Sequence, residues 1–256
     1  MQEETEMKRF ILTNLFVLGI MVYAFAGWAE QSQLTAPQIL KKVDDVINAP
    51  KDQDLSIKLI LIDKDGNEKV REMNMLQKGS DRRLVKFLSP ADQKGIAFLS
   101  LPDDVMYLYL PAFEKVRRIA SHIKNNKFAG TDFTYEDMEA IRYTEKYNPT
   151  LQKTDEEHYI LQLIPKEGIN TDYSKLIMRV RTDNFYPDKI EHYDKGNKLY
   201  KVMVREKIEK VNGYLISRES IMEDLKAEHK TSMNIEKVKF DLGLSDDLFT
   251  ERYLSR

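Results

Sequence analysis

Asp132, Glu136, Asp137 and Glu139 place four carboxylates within one short segment. Two carboxylates facing each other across a glycosidic bond are what acid–base hydrolysis of sugars requires. These four share a segment in which Thr134 and Asp137 have the spacing of a capping box, and acids at a helix start stabilise its positive end. A structural role is the expectation. Hydrolysis through Asp132 or Glu136 is the minor alternative, because the sequence sets no second carboxylate opposite them. His122, His158, His192 and His229 lie 34 or more residues apart. None has a second histidine at helical or strand spacing, so no local metal motif exists. The absence of cysteine excludes disulfides, thiolate metal sites, cysteine nucleophiles and a lipid carried on a cysteine. No G-x-S-x-G, P-loop or G-x-G-x-x-G pattern occurs. No enzyme, metal or cofactor is expected.

Binding residues carry more information. Lys115, Arg117, Arg118, Lys124 and Lys127 form a basic stretch opposed only by Glu114. Its plain reading is a solvated hairpin; its functional reading is a contact for an acidic partner or lipid headgroups. The whole chain is nearly balanced, with 40 basic and 42 acidic residues in 256 and a net charge of −2. Nucleic-acid binding is therefore not expected, since neutralising phosphates needs a positive excess. Beyond residue 29 stand Met73, Met75, Met106, Met138, Met178, Met203, Met222 and Met233, nearly all at strand positions. Methionine fills irregular cores and also lines surfaces that accept flexible apolar guests. A sixteen-carbon chain released into water loses on the order of 12 kcal/mol, at about 0.8 kcal/mol per methylene. A protein that moved such chains through water would need an apolar hollow.

The elements that position these residues follow from periodicity. Ile39, Leu40, Val43, Val46 and Ile47 share one helix face. Thr35 and Gln38 match a capping box, Pro37 suits the first turn and Pro50 follows the end, so a helix is predicted over 35–48. Then the period becomes two. Leu55, Ile57, Leu59 and Leu61 alternate with polar neighbours, Asp65-Gly66-Asn67 turns the chain, and Met73, Met75, Val85 and Phe87 continue the pattern. Further strands are predicted at 96–101, 104–110, 114–119, 158–164, 175–182, 188–194, 198–206, 214–222 and 230–240. Short helices are predicted at 134–141 and 245–254. No Gly/Ser/Pro-rich linker divides residues 30–256, so a single domain is expected. A meander this long curls. Three small helices can sit in its mouth but cannot close it, and the expected object is a curved sheet wrapped around them.

Residues 1–29 read as an address. Lys8 and Arg9 precede an uncharged run that ends in small-x-small patterns at Ala24-Phe25-Ala26 and Gly27-Trp28-Ala29. That is the form of a secretory signal peptide, with Met7 an alternative start. A membrane anchor is the competing reading, because a run of about 20 residues spans a bilayer. Export is the expectation.

Three stretches resemble a known family: Gly130-Thr131-Asp132-Phe133-Thr134-Tyr135-Glu136-Asp137, the segment from Tyr109-Leu110-Pro111 to Arg117-Arg118-Ile119, and Leu248-Phe249-Thr250-Glu251-Arg252-Tyr253-Leu254. They are similar to the outer membrane lipoprotein-sorting branch of the LolA/LolB lipoprotein-carrier superfamily, over about residues 33–256. The resemblance implies a mainly β, half-open antiparallel barrel of about eleven strands around lid helices, whose cavity takes acyl chains of lipoproteins or lipids. It also implies an inner-membrane exporter of the RND/MMPL type as partner, and a strand arginine latching the lid, with Arg82 and Arg83 in the right region. By alternation the acyl lining is expected from Leu59, Leu61, Met73, Met75, Phe87, Met106, Leu108 and Met178. Gly130, Phe133 and Tyr135 are expected to form lid and hinge, and Lys115, Arg117 and Arg118 the partner contact. The expected protein is a monomeric periplasmic carrier. The alternative is a structural or interaction module that docks through its basic hairpin.

Overall fold

The computed structural model describes residues 34–256, of which Thr35–Arg256 form one compact unit. The export segment lies outside the described residues. Among the described residues no helix is long and apolar enough to cross a membrane.

Thirteen antiparallel strands make one sheet. The first meander comprises β1 (Asp52–Ile62), β2 (Glu68–Lys78), β3 (Arg82–Ser89), β4 (Ala97–Leu101), β5 (Val105–Leu110) and β6 (Lys115–Arg118). The second comprises β7 (Tyr147–Thr154), β8 (His158–Pro165), β9 (Tyr173–Arg181), β10 (Pro187–Asp194), β11 (Leu199–Val211), β12 (Tyr214–Asp224) and β13 (His229–Phe240). They join where β1 pairs with β13, which leaves β6 and β7 as free edges of an open, half-barrel sheet. Alternation sets the faces. Leu55, Ile57, Leu59 and Leu61 are all 5% exposed or less, and Leu55 and Ile57 pair with Met75 and Met73. Pairing of β12 with β13 runs only from Glu219–Asn234 to Asp224–His229, so the strands part beyond it.

The alternation predicts eleven or twelve strands, and β7 is not among them. Its Pro149 has no N–H for a ladder, and its side chains are mostly polar. An edge strand tolerates both, since one side needs no partner.

The first helix, α1 (Ala36–Ile47), has the expected Thr35/Gln38 capping box and ends at Asn48. Its buried face is Ala36, Ile39, Leu40, Val43 and Asp44, and it packs on β7, β12 and a short helix α2 (Tyr143–Lys146). Asp44 holds α2 in place. Its carboxylate accepts from the Tyr143 and Thr144 amides at 2.8 and 2.9 Å and from the Thr144 hydroxyl at 2.6 Å.

Two helix expectations are corrected. Over 134–141 there are turns only, although Thr134 and Asp137 make both capping-box bonds, at 2.8 and 3.1 Å. The turn stops where the Met138 carbonyl accepts from Arg83 Nη1 at 3.0 Å and Glu139 meets Lys146. The segment 245–254 is split into a 3-10 turn, Asp246–Leu248, and α3 (Glu251–Leu254). Phe249 breaks it by turning into a second apolar cluster with Leu84, Ala97, Leu99 and Leu254 on the sheet's other face.

Candidate functional site

Residues 119–142 run from the end of β6 to α2 across the inner face of the sheet, and we call them the strap. Three cationic side chains from three strands each donate to one of its carbonyls. Arg71 of β2 bonds Ala129 O, Arg83 of β3 bonds Met138 O at 3.0 Å, and Lys201 of β11 bonds Asp132 O at 2.9 Å. The fully buried Asp132 carboxylate adds His229 Nδ1 at 2.6 Å and the Thr231 hydroxyl at 2.7 Å, both on β13, and Lys127 at 3.0 Å. Asp137 accepts from the Tyr173 hydroxyl of β9 at 3.0 Å and lies 3.6 Å from Lys201. The acids thus tie the strap to β9, β11 and β13 of the second meander, while Arg71 and Arg83 tie its backbone to β2 and β3 of the first. Glu136, Asp137 and Glu139 all border one hollow.

Gly130 has φ of +77°, in the left-handed region that glycine enters without strain. Phe128 and Phe133 are almost fully buried, Tyr135 partly. Phe128 packs its ring 5.5 Å from each of Phe87, Phe98 and Tyr135.

Seven of the eight residues expected to line an acyl cavity come together under the strap. Leu59, Leu61, Met73, Met75, Phe87 and Met106 belong to one buried cluster, with Leu108 packed against it. Phe128, Phe133 and Met138 from the strap complete that cluster. Met178 is brought elsewhere: it is fully buried on β9 between Leu161 of β8 and Ile190 of β10. Of the basic stretch, Lys115, Arg117 and Arg118 are exposed on edge strand β6. Lys124 is not solvated as expected: it is 2% exposed, with Asp104 at 3.3 Å. Lys127 turns in towards Asp132 and Asp224, both at 3.0 Å.

The two candidate latch arginines point to opposite faces. Arg82 pairs with Asp246 at 2.7 Å, on the side of the C-terminal segment. Arg83 faces in, holding the strap and also Gln77 Oε1 at 2.6 and 3.1 Å. Burial, chiefly, lowers its pKa to about 10.

Beside the strap two hollows remain. The first, about 180 Å³, is polar; Arg83, Arg205, Glu136, His192, Tyr143 and Tyr173 are among its walls. The second, about 130 Å³, is walled mainly by Leu55, Leu215, Ile216, Ile235 and Phe240, at the place where β12 and β13 part. Ile47, Gln53 and Tyr186 line both. Burial, with Asp137 and Glu139 nearby, raises the Glu136 carboxyl to about 7. Burial also pushes His192 down to about 4, so its ring is neutral at pH 7. Burial acts to raise Asp137, but Lys201 and His192 outweigh it and hold the group below its ordinary value. Sequence reasoning missed Arg205, His192 and the apolar hollow. The available signal was parity: Arg205 follows Met203, and His192 follows Ile190, on the inward side of the alternation. Among the described residues no group of three or more His, Asp or Glu is placed to hold a metal ion.

A family described as "Uncharacterized protein" matches residues 79–256. No curated protein matches. A DUF1329 family protein from Desulfovibrio piger is 27% identical with a TM-score of 0.80, covering 86% of this chain and 97% of its own. A domain described as an outer membrane lipoprotein-sorting protein, from Vibrio parahaemolyticus, is 26% identical with a TM-score of 0.74, covering 85% and 98%. A LolA superfamily protein from Nitrosomonas europaea shares the fold at 24% identity and a TM-score of 0.74, covering 86% and 100%.

Proposed function

We propose that the chain, which belongs to the family matched over residues 79–256 and resembles a lipoprotein-sorting protein domain, is a LolA-like carrier that binds acyl chains of lipoproteins or lipids and ferries them across the periplasm. It works without catalysis and receives or delivers its cargo at an inner-membrane exporter of the RND/MMPL type. The observation that carries this reading is how the strap is fastened. The apolar wall of β1–β5 is covered by a segment held largely through side chains that grip its backbone: Arg71, Arg83 and Lys201 on three carbonyls. Its backbone pairs with the sheet where Ile119 continues the β6 ladder onto Met106 O, and beyond that makes one isolated bridge, within itself, Lys127 to Thr134. Such bonds exchange readily for water, each being worth about 1–3 kcal/mol net. Released together, they would uncover the wall formed by Leu59, Met73, Phe87 and Met106. Arg83 thereby fills the role that the resemblance implies for a latching strand arginine.

The two hollows alone fall below the roughly 300–1,000 Å³ of typical ligand sites. Neither hollow alone encloses a long chain. That same tight packing favours the second reading, an interaction module whose interior is filled by its own side chains and which docks through Lys115, Arg117 and Arg118. Native mass spectrometry of the detergent-free protein, with lipid extraction and uptake of a fluorescent fatty acid, separates the two. Co-purified acyl species and saturable uptake are expected. A protein that brings no lipid and takes up no fatty acid is the interaction module.

A further inference from the structure

We propose that the polar hollow holds the anionic head, a carboxylate or a phosphate, of the carried amphiphile, with Arg83 and Arg205 as counter-charges; the assignment rests on the carrier reading above. The charges around this hollow do not balance. Asp137 is matched by Lys201 at 3.6 Å, and Glu139 by Lys146. Among the described residues, neither Arg83 nor Arg205 lies within ion-pair distance of a carboxylate; Glu139 acts on Arg83 only from farther away. Arg83 donates to Gln77 Oε1 and Met138 O, and Arg205 to Pro187 O at 3.0 Å, so both forks keep free N–H groups. The remaining acid is Glu136, which burial raises to about 7, so that near neutral pH about half of it carries the proton and can donate. Arg205 acts on Arg83, and two guanidinium groups of like charge in a partly enclosed space are costly unless an anion joins them. Guanidinium forks match carboxylate and phosphate oxygens in pairs.

A second feature points the same way. His192 Nδ1 is buried with no hydrogen-bond partner, the residue is 4% exposed, and it lines this hollow. In the tautomer with its proton on Nδ1, this unpaired nitrogen can donate to an anion in the hollow. The volume fits the assignment. About 180 Å³ is the space of about six waters at roughly 30 Å³ each, enough for a small head and too little for a long chain. The chain has its own way out. The apolar hollow of Leu215, Ile216, Ile235 and Phe240 shares a wall with the polar one and opens where β12 leaves β13. That adjoining apolar space is why the anion is read as the head of an amphiphile and not as a free ion.

Equilibrium dialysis of the purified protein with radiolabelled dodecanoate, dodecanol and inorganic phosphate tests the assignment. Dodecanoate should bind about tenfold tighter than dodecanol. Arg205→Met should abolish that preference while dodecanol affinity stays as it was, and Arg205→Lys should restore part of it. Circular dichroism of each variant confirms the fold. If acid and alcohol bind equally to the wild type, the head-group assignment falls and the carrier reading stands. If phosphate binds as tightly as dodecanoate, the hollow is a site for a free anion and the assignment falls likewise. If neither amphiphile binds, both readings fall together.

Discussion

The inner face of the sheet is used in two ways. Over β1–β5 it is apolar and closed: Leu59, Met73, Phe87, Phe98 and Met106 meet Phe128, Phe133 and Met138 of the strap with every one of them 4% exposed or less. Across β9–β12 it carries His192, Lys201 and Arg205 among Leu176, Met203 and Met222, and it keeps a hollow. Both regions follow the same strand alternation, so the pleat does not make the difference. The strap does. Its aromatic residues lie over one half, while its acids reach into the other. One loop therefore plugs the apolar half and leaves unequal charge facing the gap in the polar half. Tight packing maximises stability, and a gap with unmatched charge forgoes some of it; groups kept at that cost are where binding is to be sought.

Phe128→Ala breaks the closed half and carries the largest expected effect. The side chain is 1% exposed, stacks on Phe87 and meets Phe98 and Tyr135 edge-on. Its loss should cost about 3–5 kcal/mol in urea unfolding, from lost transfer energy plus the cavity left behind. On the carrier reading the same variant gains affinity for fatty acid, since the plug competes with the guest. A cost below about 1 kcal/mol would mean that the wall is loosely covered and that the contrast between the halves is false.

The closed half was the more legible in sequence. Alternation alone placed Leu59, Leu61, Met73, Met75, Phe87 and Met106 on one wall, because a buried face imposes a strict period of two. The α1 helix was legible from its face and its capping box. What stayed hidden depended on distant partners. Lys124 reads as a solvated charge until Asp104 is brought beside it. The 134–141 segment has a capping box but no continuation, because Arg83 takes the Met138 carbonyl. Strand β7 hides behind Pro149, which only an edge position excuses. Arg82 and Arg83 could have been told apart by parity: Arg83 shares its face with the buried Val85 and Phe87. The hollow itself was not legible, since local pattern reports which side chains point inward and not whether they meet.

Glu136→Gln sharpens the open half, with an effect of opposite sign. The unfolded carboxyl titrates near 4.5 and the buried one near 7. Below pH 4.5 both states hold the proton and burial costs nothing extra. As pH rises the unfolded state ionises first, so the folded state loses stability, fully by the time pH exceeds 7. Glutamine cannot ionise. The variant should therefore be more stable than the wild type at pH 8, by about 1–3 kcal/mol, and nearly equal to it at pH 4.5. His192 works the other way, losing stability as pH falls from 6.5 towards its folded value of about 4. Unfolding measured between pH 6.5 and 8 isolates Glu136. No gain at pH 8 would show that this carboxyl is solvated and the hollow open to bulk water.

The smallest effect belongs outside both halves, on edge strand β6. Lys115, Arg117 and Arg118 are exposed, and neutralising all three to glutamine should move stability by no more than about 0.5 kcal/mol. Their charge has two uses that stability cannot separate. A four-residue edge strand rich in cations discourages a second copy from adding its own strand. The same three charges form the surface proposed to dock on an exporter. Sedimentation velocity of the triple variant tells them apart. If they guard the edge, the neutral variant associates as its concentration rises, β6 against β6, while the wild type stays monomeric. If the variant stays monomeric as well, guarding needs none of the three, and docking is left as the reason for a basic edge beside the mouth of the strap. Either outcome bears on the comparison, because β6 is the strand from which the strap begins.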